Sequence, residues 1–156
     1  MILPLDFKEL LEEFARAGVE AVLVGGYAVA FHGRPRATKD IDLVLRHSDE
    51  NLRRASEALA RFGAPPNVAA LVRAMAPTDV VFLGQPPLRV DLLLAIDGVP
   101  QDELFARSIE VQLDGVGLRV ISRDDLIVNK RAAGRPQDIL DAEFLERTRR
   151  ATEPPA

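Results

Sequence analysis

Three aspartates lie in segments that otherwise have the composition of buried β-strands. Asp40 and Asp42 occur in "TKDIDLVL", and Asp91 occurs in "LRVDLLLAI". Strands rarely contain aspartate, and a carboxylate removed from water needs a partner. Because side chains alternate along a strand, Asp40 and Asp42 are predicted to share one face, with Ile41 and Leu43 on the other.

The chemistry that suits this arrangement is metal binding. Two carboxylates whose roots are about 7 Å apart on one strand repel each other unless a cation lies between them. Hard divalent cations such as Mg²⁺ prefer oxygen ligands. If the two strands are neighbours, Asp91 lies about 5 Å across from the pair, and the three carboxylates could hold two metal ions for in-line phosphoryl transfer.

Two other interpretations of these residues are open. Asp40 and Asp42 could lie on a solvated strand face, which is common in half-buried strands. Asp91 could form a salt bridge with Arg89 or another surface arginine. The presence of three such aspartates in two apolar strands favours the metal site.

The segment "VGGYAVAFHG" predicts a phosphate-binding turn. Gly25 and Gly26 end a predicted strand and lead straight into a helix, whose free N–H groups favour an anion, and glycine lets a phosphate approach closely. The segment is neither a dinucleotide-binding G-x-G-x-x-G nor a P-loop G-K-[ST]. Gly26 lies fourteen residues before Asp40, so the predicted phosphate site lies close to the predicted metal strand.

Helical and strand patterns alternate along the chain. The first helix has Asp6 as its predicted N-cap, Ser122 is a predicted cap near the C-terminal end, and Asp114-Gly115 predicts a hairpin turn. These patterns predict an α/β (α+β) fold with a mixed central sheet flanked by helices. The predicted helices cover residues 6–17, 27–33, 48–63, 65–77, 122–134 and 136–150, and the predicted strands cover 19–26, 38–45, 79–84, 88–96 and two segments within 109–122.

Length and composition set further limits. A chain of 156 residues with 47% hydrophobic content suits one domain over residues 1–150, with a core at about 19–121, C-terminal helices at 122–150 and a disordered tail at 151–156. The absence of cysteine excludes disulfides and thiolate metal sites and fits the cytoplasm. No apolar run approaches the length of a membrane span. The net charge of −4 argues against general DNA binding.

Two longer segments resemble a known family. "VGGYAVAFHGRPRATKDIDLVL" resembles the core signature of the polymerase-β-like nucleotidyltransferase superfamily, which is a Gly-Gly turn, a short helix and then Asp-x-Asp on the next strand. The third carboxylate of that superfamily falls on a later strand, and Asp91 matches it. "ISRDDLIVNKRAAGRPQDILDAEFL" resembles the C-terminal signature of small bacterial members grouped with AbiEii-type abortive-infection toxins. The resemblance covers nearly the whole chain and implies the nucleotidyltransferase fold with a small C-terminal helical part.

The resemblance implies a role for each matching residue. Asp40 and Asp42 would bind two Mg²⁺ ions, for which Mn²⁺ is an alternative, and Asp42 would bridge both. Asp91 would complete the site of the ion that activates an acceptor hydroxyl. Gly25 and Gly26 would hold the β- and γ-phosphates of a nucleoside triphosphate.

Basic residues are expected near the triphosphate. The resemblance implies this role for the pair Arg36 and Thr38 and for Lys130, and Lys39, directly before Asp40, is a further candidate. The alternative for each charge is a solvated side chain or an ion pair, which is the preferred interpretation of Arg34 and Arg131. Arg135 with Asp138 or Asp141 is one such pair. His32 and His47 have no partners at metal-ligand spacing, so zinc is not expected.

The implied activity is Mg²⁺-dependent transfer of a nucleoside monophosphate from a nucleoside triphosphate to a hydroxyl. The acceptor could be a tRNA end, a protein or a small molecule. The chain could be the toxin-like component of a toxin–antitoxin system, with a cognate antitoxin or a second copy of itself as partner. The alternative is a non-catalytic nucleotide-binding or partner-binding domain on the same fold.

Overall fold

The computed structural model describes residues 3–35, 40–85 and 88–152. Helices and strands alternate through these ranges, as the sequence pattern predicts. The elements are α1 (Leu5–Ala17), β1 (Ala21–Val24), α2 (Gly25–Phe31), β2 (Asp40–Leu45), α3 (Asp49–Phe62), α4 (Pro66–Arg73), β3 (Val80–Gln85), β4 (Leu88–Leu93), α5 (Gln101–Arg107), β5 (Ile109–Leu113), β6 (Val116–Val120), α6 (Arg123–Ala133) and α7 (Pro136–Thr152).

The six strands form one mixed sheet in the order β3-β4-β2-β1-β6-β5. The parallel pairs are β2 with β4 and β1 with β6, whereas β1 with β2, β3 with β4 and β5 with β6 are antiparallel. The predicted mixed sheet flanked by helices is therefore confirmed. The predicted hairpin at Asp114-Gly115 joins β5 to β6.

Strand β2 lies at the centre of the sheet and separates an apolar face from a polar one. Ile41 and Leu43 are buried to 1% exposure each, whereas Asp40 and Asp42 on the opposite face are only partly buried. The apolar face packs against the hydrophobic core, to which α1 contributes Phe7. The sheet therefore directs the two aspartates away from the core.

The predicted helix ends agree with the structure at most positions. Ser48 accepts a hydrogen bond from the backbone N–H of Asn51 at the start of α3, and Ser122 accepts one from the N–H of Asp125 at the start of α6. Each cap satisfies a donor that the helix itself leaves free. Three of the four glycines predicted to end helices, at residues 18, 63 and 134, are C-caps in the left-handed conformation, whereas α2 ends at Phe31, two residues before the fourth, Gly33.

Several element boundaries differ from prediction, and among them α4 ends at Arg73 and β4 at Leu93, four and three residues before their predicted ends. Helix α1 begins at Leu5 after Pro4, so Asp6 lies in the first turn instead of at the N-cap. In the first turn, its negative charge interacts favourably with the positive end of the helix dipole. Helix α2 begins at Gly25, two residues before its predicted start, because β1 ends at Val24. Helix α7 extends to Thr152, two residues into the predicted tail.

Helix α5 was not predicted, because its seven residues are too few to show a helical period. Gln101 at its start donates hydrogen bonds to the carbonyl oxygens of Leu45 and Leu94, each at 2.9 Å. These contacts hold together the chain segments that follow β2 and β4. Among the described residues, no helix is both long and apolar enough to cross a bilayer.

Candidate active site

Strands β2 and β4 bring the three aspartates together. The parallel register pairs Asp42 with Asp91 and Asp40 with Arg89, so all four side chains lie on the same face of the sheet. The two strands are neighbours, which is the condition that the metal-site interpretation required. The side chain of Asp91 is 14% exposed and that of Asp40 is 38% exposed, so the acidic cluster extends from the half-buried sheet surface towards solvent.

Arg89 lies between two of the carboxylates. Its Nε is 2.8 Å from Asp91 Oδ1, and its Nη2 is 3.2 Å from Asp91 Oδ2 and 3.3 Å from Asp40 Oδ2. The salt bridge considered for Asp91 from the sequence is therefore present, together with the carboxylate cluster. Arg89 was not predicted as a site residue, although its spacing of two from Asp91 on a strand places both on one face.

The carboxyl group of Asp42 has a strongly raised pKa. Burial is the largest of the causes that raise its pKa from 3.8 to about 7, followed by the charge of Asp91, a hydrogen bond with Asp91 and the charge of Asp40, while the charge of Lys130 opposes the shift. Carboxylates this close together cannot all ionise without a compensating cation. The cluster therefore has the electrostatic character of a cation-binding site.

The raised pKa of Asp42 predicts a pH-dependent stability of the metal-free protein. Between about pH 4 and pH 7 the folded state holds a proton that the unfolded chain has released, so the free energy of unfolding falls as the pH rises over this range and levels off above about pH 7. In Asp42→Asn, we expect the free energy of unfolding to fall by about 2–4 kcal/mol less over this pH range than in the wild type. Urea unfolding with EDTA at several pH values measures it, and an unchanged pH dependence in the variant would contradict the assignment.

Gly25 lies directly against Asp42. Its φ is +69°, and a Cβ at this position would overlap Asp42 Oδ2 and lie 3.0 Å from its Cγ. Gly26 follows in the first turn of α2, where no side chain caps the free N–H groups. Both glycines line the same cleft as the aspartates. The structure therefore brings the predicted glycine turn to the predicted metal strand.

Lys130 on α6 is the buried cation of the site. Its Nζ lies 3.1 Å from Asp138 Oδ1 and 3.4 Å from Asp141 Oδ2. Arg135 also binds Asp138, with Nε 2.7 Å from Oδ2. Burial disfavours ionisation of Asp138, but the hydrogen bonds from Arg135 and Lys130 and their charges lower its pKa overall. Helix α7 therefore holds the Lys130 ammonium at the cleft.

An ion pair at Arg34 and a hydrogen bond at His32 account for two further positions that the sequence singled out. Arg34 Nη1 lies 3.5 Å from Asp141 Oδ1, and its guanidinium lies over the ring of Phe144, 5.6 Å from the centroid. His32 is buried, with Nε2 2.8 Å from the carbonyl oxygen of Ile121, and burial lowers its pKa. Both side chains therefore fix the packing of α2 against the C-terminal part of the chain. Arg36, Thr38 and Lys39 lie outside the described residues.

The site opens into a cleft of about 800 Å³ between one face of the sheet and the α6–α7 pair. Gly25 and Gly26 form one end of its floor, and the carboxylates of β2 and β4 form the centre. The edge strand β3 contributes Val80 at the other side. The cleft thus has room for a ligand much larger than a metal ion.

The donor set of the cluster fits a divalent cation. Carboxylate oxygens are the ligands that Mg²⁺ prefers, and a guanidinium already bridges Asp40 and Asp91. Among the described residues, however, no three His, Cys, Asp or Glu side chains are grouped closely enough to hold a metal ion as they stand. A metal would therefore require these side chains to rearrange.

Several solved structures share this fold at low sequence identity. The lincosamide antibiotic adenylyltransferase LnuA, solved with lincomycin bound, is 14% identical, with 93% of this chain and 97% of that chain covered at a TM-score of 0.61. ANT(2″)-Ia in complex with adenylyl-2″-tobramycin is 16% identical, with 92% and 86% covered at a TM-score of 0.55. An antigenic nucleotidyltransferase-like protein from Paracoccidioides brasiliensis is 13% identical, with 89% and 72% covered at 0.53.

These similarities confirm the predicted nucleotidyltransferase fold. No curated protein matches the chain by sequence. A family model described as nucleotidyl transferase of unknown function (DUF2204) matches residues 5–153, which include all three aspartates, both glycines and Lys130. The predicted superfamily is thereby confirmed, while the closer resemblance to AbiEii-type toxins stays a prediction. The chain belongs to this family of nucleotidyl transferases.

Proposed function

We propose that the protein transfers a nucleoside monophosphate from a nucleoside triphosphate to a hydroxyl group, with Mg²⁺ as cofactor and Mn²⁺ as a possible substitute. The observation that carries this proposal is the register of β2 and β4, which pairs Asp42 with Asp91 and leaves Asp40 on the same face. Family membership supports the reaction class, and the raised pKa of Asp42 supports a bound cation.

Asp40, Asp42 and Asp91 are the residues that would hold the metal. Mg²⁺ bound there would neutralise the charge that develops on the phosphate oxygens. The transfer forms a bond between the acceptor oxygen and the α-phosphorus. It breaks the bond from the α-phosphorus to the oxygen bridging the β-phosphate, releases pyrophosphate and frees the proton of the hydroxyl.

The triphosphate is proposed to lie over Gly25 and Gly26. The N–H groups of the first turn of α2 have no side-chain cap, and the absence of a side chain at Gly25 lets the Asp42 carboxylate lie directly against this turn. Lys130 lines the same cleft and is positioned to neutralise the phosphates of the leaving group. Arg36, Thr38 and Lys39 keep their predicted roles at the triphosphate.

The acceptor is proposed to enter from the side of β3. An in-line reaction needs the attacking and leaving oxygens on opposite sides of the α-phosphorus. If the leaving phosphates lie at Gly25, the acceptor lies beyond Asp91, where β3 presents Val80 and Phe82. These side chains are 42% and 52% exposed, so they offer an apolar surface next to the carboxylates.

A small molecule is the acceptor class that the cleft favours over a tRNA end or a protein. The described lining contains more acidic than basic side chains, which disfavours a polyanion such as tRNA. The acidic ones are Asp40, Asp42, Asp79, Asp91, Asp97 and Asp138, and the basic ones are Arg89, Lys130 and Arg135. The solved complexes of LnuA with lincomycin and of ANT(2″)-Ia with adenylyl-2″-tobramycin show that this fold accommodates small acceptors.

Incubation with α-labelled nucleoside triphosphates and Mg²⁺ tests the acceptor class. Separate reactions would contain hydroxylated small molecules such as aminoglycosides and lincosamides, total tRNA, or cell protein. We expect label in the small-molecule pool only. Label in tRNA or protein would overturn the acceptor assignment and support the toxin-like role instead. Nucleotide binding without labelling of any pool would support the non-catalytic alternative.

A further inference from the structure

Arg89 is held on two sides at the centre of the proposed site. On one side its guanidinium forms hydrogen bonds with both oxygens of Asp91 and one oxygen of Asp40, at 2.8–3.3 Å. On the other side it lies over the ring of Phe82, with Cζ 4.6 Å from the centroid. The register places Phe82 opposite Asp91 on the neighbouring strand β3, so the ring and the carboxylates enclose the guanidinium.

The guanidinium uses the same carboxylate oxygens that a divalent cation would need. A metal ion cannot bind Asp40 and Asp91 at short range while Arg89 occupies the space between them, since two cations there would repel each other. This explains why the three carboxylates, although they share one face, do not form a compact three-ligand group. Asp91 contacts both Arg89 and Asp42, with which it shares a hydrogen bond, and Asp40 contacts Arg89.

We propose that Arg89 is a positioning residue that substitutes for the metal in the metal-free protein, and that a divalent cation must displace it from Asp40 and Asp91 to bind. This inference rests on the proposed function, because it assigns those carboxylates to the metal. In the metal-free state Arg89 compensates the charge of the cluster. In the metal-bound state it loses the carboxylate contacts and keeps its contact with the ring of Phe82, whose face stabilises a cation.

The structure distinguishes Arg89 from the other arginine of the cleft. Arg135 carries the same charge and lines the same cleft, but its partner is Asp138 on α7, and its side chain is 78% exposed. Loss of the Arg135 charge would alter the general potential of the cleft without freeing Asp40 or Asp91. Arg135→Met is therefore a matched control for Arg89→Met.

Titration with Mn²⁺, followed by calorimetry and by the electron paramagnetic resonance signal of free Mn²⁺, tests this proposal without nucleotide or turnover. We expect Arg89→Met to bind Mn²⁺ about tenfold more tightly than the wild type, because a charge-assisted contact no longer has to be broken. Arg135→Met should change the affinity by less than about threefold. Arg89→Lys, which keeps the charge but lacks the planar fork, should lie between the two.

Three other outcomes would overturn the proposal. Equal or weaker binding by both Arg89 variants, with measurable binding by the wild type, would overturn the displacement mechanism and leave the metal site intact. An equal gain in Arg89→Met and Arg135→Met would also overturn it, since general charge would then explain the effect. Absence of Mn²⁺ binding in every variant, also with a non-hydrolysable nucleoside triphosphate present, would overturn both this inference and the metal-dependent function.

Discussion

Asp42→Asn is expected to lower the transfer rate by about 10³-fold or more, because a bound metal contributes several kcal/mol of transition-state stabilisation. Asp42 is the most central of the three carboxylates, since it contacts Gly25 and pairs with Asp91. Asparagine keeps the shape of the side chain but removes the charge that would hold the cation. The rate of labelled nucleotide transfer at saturating triphosphate measures the effect.

Asp102→Asn is the matched control for this substitution. The Asp102 side chain is 98% exposed, and the same chemical change there should leave the rate within about twofold of the wild type. The Asp42 variant should fold at least as stably as the wild type above pH 7, because it no longer contains a buried carboxylate with a raised pKa. If Asp42→Asn kept more than about a tenth of the activity, the metal-ligand assignment would be wrong.

Gly25→Ala is expected to lower activity by about 10²-fold, the scale of loss that a displacement near 1 Å in a reacting group can cause. The new methyl group would overlap the Asp42 carboxylate and lie 3.0 Å from its Cγ. A φ of +69° adds strain of about 1 kcal/mol for a residue with a Cβ. Steady-state kinetics and urea unfolding of the same preparation measure the two effects.

Gly115→Ala separates the backbone strain from the contact with Asp42. Gly115 has a similar φ of +79°, but a Cβ there would meet nothing within 4 Å. We expect this variant to lose about 1 kcal/mol of stability and to keep its activity. Normal activity in Gly25→Ala, or an equal loss in both variants, would exclude the proposed role of Gly25 as the close contact between the phosphate turn and Asp42.

Local sequence patterns singled out the three aspartates and two glycines that line the candidate site, because each of these predictions depends on a short-range rule. Alternation along a strand placed Asp40 and Asp42 on one face, and the apolar character of both strands suggested that Asp91 belonged to a neighbour of β2. Adjacent glycines between a strand and a helix predicted that another group could approach the backbone closely at this turn. The structure identifies Asp42 as the group approached, because Val24 and Asp42 are partners in the antiparallel pair of β1 and β2.

The roles that were not predicted depend on tertiary geometry. An arginine two residues from an aspartate can point to solvent, so the sequence could not show that Arg89 bridges two strands and packs against Phe82. Helix α5 is too short to show periodicity, and Gln101 stabilises it through carbonyls that are distant in sequence. The partners of Lys130 could not be assigned either, because Asp138 and Asp141 are three residues apart on α7 and therefore lie on the same face of the helix.

The central claim is that the α-phosphorus is transferred, and a paired labelling experiment tests it most directly. The protein, Mg²⁺ and an accepted acceptor would be incubated in parallel with α-labelled and γ-labelled nucleoside triphosphate. The account predicts that the acceptor gains the α-label, that the γ-label is recovered in pyrophosphate, and that Asp42→Asn does neither. Appearance of the γ-label on the acceptor, or full transfer by the Asp42 variant, would contradict it.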